Sequence, residues 1–458
     1  MAGDYTWAQH EFAGARLPDE RFRRQLVGNA GRLAEHHGES FSAACGHAGR
    51  QAAKRLWGHH EVTMDDLLAG HYEATAGRCA DYEWVLVATD TTALDFSGHA
   101  SKAELGPVGS GAGSRGLLLH SALALSPERR ALGLLGVQAW TRERSAGSVK
   151  GQRRAKVTSA KESGKWLTAA EQVAARLPAS QRVLVVEDRE ADVFDHLAAP
   201  RRAGLELLVR ACQDRLEADG EPGLLFAVAA AGPVVGEQVV EVPARPGQRG
   251  RAALLTVRAR RVRLVPPERK LLHPEAAEYW LVRAAEEEPA AGEKPLEWVL
   301  LTTLDCAGEH DPRVMPEYYA ARWEIERLHY TLKSGMGAER LQIADQHTLQ
   351  NALAVLAVTA WRVLDLTALA REQPERAAAE VLSAEEVEVL SAAAGRAVET
   401  VGEAVLELAK LAGHQVYKTA APPGLKRVWL GLRRLVDMVA GFRLARAALA
   451  GNGRYEAG

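Results

Sequence analysis

Long apolar runs are missing from this sequence. No stretch of about 18 uninterrupted apolar residues occurs, and the opening MAGDYTWAQHEF lacks the apolar core of a signal peptide. Neither a membrane partner nor secretion is therefore expected. Cysteine is scarce as well: Cys45, Cys79, Cys212 and Cys306 stand far apart, with no CxxC or Cys/His metal spacing. A reducing, cytoplasmic setting fits that usage. Excess charge is absent too, because 57 Lys and Arg against 59 Asp and Glu leave a formal net charge of -2. Any nucleic-acid surface must then come from local clustering of cations rather than from bulk charge. Internal repeats and long low-complexity tracts are also lacking.

What is there is an ordinary globular composition, 47% hydrophobic and 25% charged, over 458 residues. That length exceeds the ~250–300 residues at which a single core stops growing, so two or more folding units are expected. Residues 1–80 carry helical periodicity, as in Asp19 to His36, where Phe22, Leu26 and Leu33 fall near one face. Their basic residues Arg16, Arg21, Arg23, Arg24, Arg32, Arg50, Lys54 and Arg55 could line phosphates or simply form a solvated helix surface. From Tyr82 short apolar runs alternate with turns: WVLVATD, LLLHSALAL and ALGLLGVQAW, then a basic Gly/Ser stretch (Ser145 to Lys165), a helix, VLVVED and LELLVRA. Three strands, a helix, a strand, a helix and a strand is the order of a ribonuclease-H-like mixed sheet.

Between about 221 and 300 the Val-rich, alternating segments predict an inserted antiparallel β-sheet, after which WVLLTTL reads as a buried strand and Pro312 to Ser334 as a long helix. Residues 348–458 read as helical apart from a loop around Thr419 to Gly424. The expected fold is α/β: a ribonuclease-H-like core over 81–347 with its β-rich insertion, flanked by helical units at 1–80 and 348–458.

Chemistry points to acids. Asp90 and Asp188 each end an apolar strand run, where an α/β sheet presents its ligand crevice. Either could also merely cap the next turn or helix. A third acid lies in EYYAARWEIERLHYTLKSG: Tyr319, Arg322, Glu326 and Lys333, at offsets 0, 3, 7 and 14, share roughly a 60° arc of an ideal helix. Spacing favours Glu326 over Glu324, which points about 140° away from Tyr319. The bland alternative is an exposed Arg322–Glu326 salt bridge. Carboxylates gathered at strand ends suit Mg²⁺, a hard ion that prefers oxygen.

The segments ATDTTALDFSGH, SRGLLLHSALAL, KESGKWLTAA, VEDREADVFDHL, LEWVLLTT and YAARWEIERLHYTLKSGMGAERLQ resemble, in order, the blocks of the insertion-sequence-four family of DDE transposases. The most specific is the family's Tyr-x2-Arg-x3-Glu-x6-Lys signature, present as Tyr319, Arg322, Glu326 and Lys333. The resemblance implies a cut-and-paste DNA transposase with Asp90, Asp188 and Glu326 as catalytic, metal-binding residues for two Mg²⁺ ions, Mn²⁺ fitting the same ligands. It implies that Trp298 receives a flipped base, that Arg210, Tyr319 and Arg322 hold phosphates, and that Lys333 contacts DNA near the cleavage point. Its implied partners are double-stranded DNA, both inverted-repeat ends and target, and a second copy of the chain in a homodimer. A nuclease of the same fold, or a DNA-binding regulator that does not cut, are the alternatives.

Overall fold

The structure, a computed structural model, describes residues 6–35, 41–99, 102, 104–109, 113–142, 158, 161–216, 223–242, 250–268, 270–289, 292–415 and 422–452. Most of the basic stretch from Ser145, and the expected loop from Thr419 to Ala421, lie outside the described residues.

Four helices come first: α1 (Thr6–Phe12), α2 (Glu20–Glu35), α3 (Phe41–Trp57) and α4 (Met64–Cys79). α4 begins where Thr63 and Asp66 satisfy each other's backbone N–H groups, a reciprocal cap that stops the chain continuing as loop. Its Gly70 lies so close to the end of α1 that a Cβ there would stand 2.6 Å from the Gly14 nitrogen. Only glycine permits that contact between the two backbones.

The sheet follows, built from β1 (Trp84–Asp95), β2 (Gly106–Pro107), β3 (Arg115–Leu125), β4 (Ala131–Trp140), β5 (Arg182–Glu187), β6 (Leu205–Arg210), β7 (Val234–Val242), β8 (Arg251–Leu264), β9 (Ala277–Ala285) and β10 (Glu297–Thr302). The strands hydrogen-bond in the order β2-β3-β1-β5-β6-β10-β9-β8-β7, with β4 outside β3. β1, β5 and β6 are parallel neighbours, whereas β3 runs antiparallel to β1 and β10 antiparallel to β6. Helices cover both faces, which is why β1 and β5 are near-continuous apolar runs rather than alternating ones. Leu86, Ala88, Leu184, Val186 and Leu208 fill one face, and Val85, Val87, Val183, Val185, Leu207 and Val209 the other. α5 (Gly164–Arg176) packs on the second face through Trp166 and Val173.

The Val-rich segment forms the antiparallel strands β7, β8 and β9, and these extend the main sheet instead of standing apart from it. The link is β10, which pairs with β6 along one edge and β9 along the other. Each edge would otherwise leave a row of backbone groups unpaired. Two short helices, α6 (Phe194–Ala198) and α7 (Leu225–Ala231), connect β5 to β6 and β6 to β7.

The helix expected from Pro312 to Ser334 is divided into a 3-10 turn at Pro312–Val314, α8 (Met315–Ala321), α9 (Trp323–Tyr330) and a π-helical turn at Thr331–Gly335. Period counting along one ideal helix therefore misplaces Lys333, because a π turn advances each residue by less than an α turn does. After it come α10 (Gln346–Glu372), α11 (Ala384–Ala394), α12 (Val401–Leu411) and α13 (Leu425–Asn452). α10 is long and apolar enough to cross a membrane, yet 83% of its apolar window is buried inside the protein. It is the central core helix, touching α2, α3, α4, β4, α12 and α13.

Candidate active site

The site begins with a register. Thr89, Glu187 and Val209 pair as one row across the parallel strands β1, β5 and β6. The next residue on each strand is Asp90, Asp188 and Arg210, so all three leave the backbone from adjacent positions about 4.8 Å apart at the carboxyl end of the sheet. By strand alternation they share the face lined by Ala88, Val186 and Leu208. β1 does not end at Asp90 as the sequence suggests. It continues to Asp95, because β3 accompanies it through the pairs Asp90–Ser121 to Asp95–Gly116. β5 stops at Glu187, and the crevice opens beside Asp90 where that neighbour leaves.

Asp188 caps the short 3-10 turn that follows, accepting the Glu190 N–H at 2.8 Å through one carboxylate oxygen. Asp90 accepts the Thr91 N–H at 2.8 Å. Glu326 arrives from α9, which rests on the same sheet face through Ile325 and Leu328. Arg322 joins the groups: its guanidinium donates to Asp90 Oδ2 at 3.3 Å and to Glu326 Oε1 at 2.6 Å. Arg322 is only 8% exposed, and its Nε has no partner.

The electrostatics follow from this crowding. Burial pushes the Asp90 carboxyl up to about 6; Arg322 opposes that shift, and the charges of Asp188 and Glu326 add to it. Asp188 is likewise raised, mainly by burial, with its Glu190 N–H bond, Arg322 and Lys165 pulling the other way. Burial works against the Arg322 cation, but Tyr319, Asp90, Glu326 and Asp188 outweigh it and raise its pKa. Burial, then Lys333 and Arg322, push the neighbouring His329 down to about 3, so it stands neutral beside the acids.

Tyr319 is buried and packs edge-on against Trp298, ring centroids 5.1 Å apart, while Trp323 approaches Trp298 at 6.3 Å. Trp298 is 3% exposed, so a base could reach its ring only after these neighbours part. Arg210 is half-buried, with a 3.4 Å contact to the Glu297 carbonyl. Lys333, half-buried in the π turn, lies within electrostatic reach of His329 and of Asp95.

Sequence reasoning passed over Lys165. This largely buried amine pairs with Glu190 Oε2 at 3.1 Å, lies over the Trp166 ring at 5.1 Å and acts electrostatically on Asp188. Its signal was its place in the first turn of α5, where the helix dipole disfavours a cation. At the other end of the molecule, Arg24, Lys54 and Arg55 are exposed on α2 and α3 with no acidic partner among the described residues. By contrast Arg16, Arg21 and Arg23 pair with Asp66, Asp19 and Glu20.

Asp90, Asp188 and Glu326 form a set of hard oxygen donors of the kind a divalent cation prefers, and the Asp90 carboxyl is raised first by burial and then by the charges of Asp188 and Glu326. Among the described residues, however, no group of three or more His, Cys, Asp or Glu side chains is placed to hold a metal ion. Arg322 stands between two of the three carboxylates. A cavity of about 770 Å³ opens elsewhere, between α1, α2, α10 and α13, and holds none of these residues.

Fold and site together define a mixed α/β protein with flanking helices whose parallel strands end in an acidic crevice, with Arg210 in the same row and Arg322 bonded to Asp90 and Glu326. Residues 4–62, the stretch that includes α1 to α3, match the family described as transposase DNA-binding. Among solved structures, the chain is similar to one in the cryo-EM structure of a piggyBac transposase synaptic complex with hairpin DNA, at a TM-score of 0.32 and 8% identity. The match covers 84% of this chain and 58% of that one, so this chain spans little more than half the length of its structural neighbour.

Proposed function

We propose that the protein is a DNA transposase of the cut-and-paste type, in which Asp90, Asp188 and Glu326 carry metal-dependent phosphodiester exchange. The observation that carries this reading is that Asp90 on β1, Asp188 just past the end of β5 and Arg210 on β6 each follow one row of paired residues, with Glu326 linked to Asp90 through Arg322. The transposase DNA-binding match at residues 4–62 supplies the means of finding DNA. The strand order β4-β3-β1-β5-β6, with β1, β5 and β6 parallel, supports a ribonuclease-H-like core. The proposed units are DNA-binding helices over 1–80, a catalytic unit over 81–347 and a helical dimerisation unit over 348–458.

Mg²⁺, or Mn²⁺ on the same ligands, would be held by the three carboxylates, and a pair of such ions activates an attacking oxygen and stabilises a leaving one. The side chains of this protein do the rest. Water first nicks one strand at the transposon end, and the freed 3′ hydroxyl attacks the opposite strand to close a hairpin. Water opens the hairpin, and the 3′ hydroxyl then joins target DNA. Arg210, Tyr319 and Arg322 would hold phosphates, Arg as a planar fork, and Lys333 would contact DNA near the cleavage point as a point charge. Trp298 would accept a base that leaves the stack at the hairpin, stacking being worth ~1–3 kcal/mol per base. We further propose a homodimer in the cytoplasm that bridges two transposon ends.

The test is Asp188→Ala assayed on DNA from both sides of the gene, in which this reading expects short inverted repeats. Mg²⁺-dependent cleavage should disappear while binding of the repeats persists. Cleavage at the wild-type rate would remove Asp188 from the mechanism.

A further inference from the structure

Arg322 occupies an unusual position for a residue assigned to hold DNA. It is almost fully buried, it donates to Asp90 and to Glu326 through its two terminal nitrogens, and its Nε has no partner. A phosphate-binding arginine on a free enzyme would normally extend toward solvent, where its charge is well hydrated. This one instead places a planar cation among the acids. Its two N–H branches, spread by the rigid fork of the guanidinium, satisfy the lone pairs that a metal ion would take.

Two further features hold it there. Tyr319 lies one helical turn before it, with the Arg322 guanidinium carbon 5.9 Å from the ring centroid. The junction between α8 and α9 falls at Arg322 itself, whose N–H bonds back to Tyr319. The residue is therefore fixed at a joint and not on a free helix surface. Asp90 is largely buried beside it, so losing Arg322 leaves that carboxylate uncompensated until another cation arrives, while Glu326 is open to solvent.

We propose that Arg322 is a latch on the metal site: in the DNA-free protein it substitutes for the cation between Asp90 and Glu326, and a DNA phosphate releases it. A phosphate entering the crevice offers the guanidinium a bidentate partner of higher charge than a single carboxylate. When Arg322 turns to that phosphate, Asp90 and Glu326 lose their cation together, and their affinity for a divalent ion rises. Metal loading would then follow DNA binding, which limits cleavage chemistry to occupied sites. This inference rests on the proposed metal site at the three carboxylates.

The experiment reads Mn²⁺ binding to the full chain by electron paramagnetic resonance, without DNA and with a transposon-end duplex. Wild-type protein should bind Mn²⁺ weakly alone and more tightly with DNA. Arg322→Gln should bind Mn²⁺ without DNA roughly ten- to a hundredfold more tightly, the range over which groups contacting metal ligands alter affinity. Arg322→Lys, whose point charge cannot bridge both acids, should fall between the two and guards against misfolding of the first variant. Adding Asp188→Ala to Arg322→Gln should abolish the gain. Tight, Asp188-dependent Mn²⁺ binding by the DNA-free wild type would overturn the latch and leave the metal site standing. If no protein, with or without DNA, shows Asp188-dependent Mn²⁺ binding, the metal-site reading fails and the latch with it.

Discussion

At the scale of single residues, the most consequential buried charge outside the crevice is Glu11. Its carboxylate on α1 bonds His71 at 2.5 Å and Arg78 at 2.8 Å on α4. The His71 Nε2 accepts the Leu134 N–H from β4 at 3.0 Å, so the ring must carry its proton on Nδ1 to serve Glu11. Burial opposes the Glu11 charge, but the hydrogen bond from His71 and the charge and hydrogen bond of Arg78 overcome it and lower the carboxyl to about 2. The folded pKa is depressed, so its stabilisation is present above the ordinary value of 4.5 and is lost as pH falls through about 2. We expect Glu11→Gln to cost on the order of 3 kcal/mol at neutral pH. Urea titrations across pH should show that deficit shrinking below about 4.5; a constant deficit would mean that packing, not charge, is lost. The same scale explains Trp298: its ring fills the core beneath Tyr319 in the free protein, and any stacking on a base requires that packing to open.

At the scale of elements, α12 and α13 cross with their backbones in contact. A Cβ built on Gly431 of α13 would stand 1.9 Å from the Leu408 carbonyl oxygen of α12. Backbone cannot swing aside as a side chain can, so Gly431→Ala should force the two helices apart and cost about 2–3 kcal/mol, the upper part of the range for overpacking. Gly441, further along the same helix, has nothing within 4 Å of such an atom. Gly441→Ala should therefore be neutral or stabilising by up to about 1 kcal/mol. Paired thermal melts check both, and an equal effect of the two substitutions would contradict the close crossing. This contact also gives a physical reason for the glycine in the WLGLRR segment.

At the scale of the whole molecule, the far end of α13 projects from the core. Leu444 and Leu449 are 73% and 75% exposed, beyond the point where Arg443 ties the helix to Glu385 at 2.6 Å. Isolated exposed leucines are common, but two on one protruding helix offer the apolar surface that the proposed homodimer requires. A Leu444→Glu, Leu449→Glu double variant should keep its melting temperature, since neither side chain is buried. Its self-association on transposon-end DNA, followed by sedimentation, should fall at least about tenfold if each leucine contributes roughly 1 kcal/mol or more on burial. Unchanged association would place the dimer contact elsewhere.

The strands, the helical ends and the acids worth watching were all legible in the chain. Apolar runs such as WVLVATD, the period of the helices and the spacing from Tyr319 to Lys333 depend only on residues close in sequence. What tertiary structure decided is of another kind. β10 merges the Val-rich strands into the main sheet, the register sets Asp90 beside Asp188, and Lys165 reaches Glu190. Above all, Arg322 meets Asp90 across 232 positions of chain. Strand order and charge pairing at such separations follow from which surfaces the folded chain must cover and which charges it cannot leave unpaired, and no local pattern carries that information.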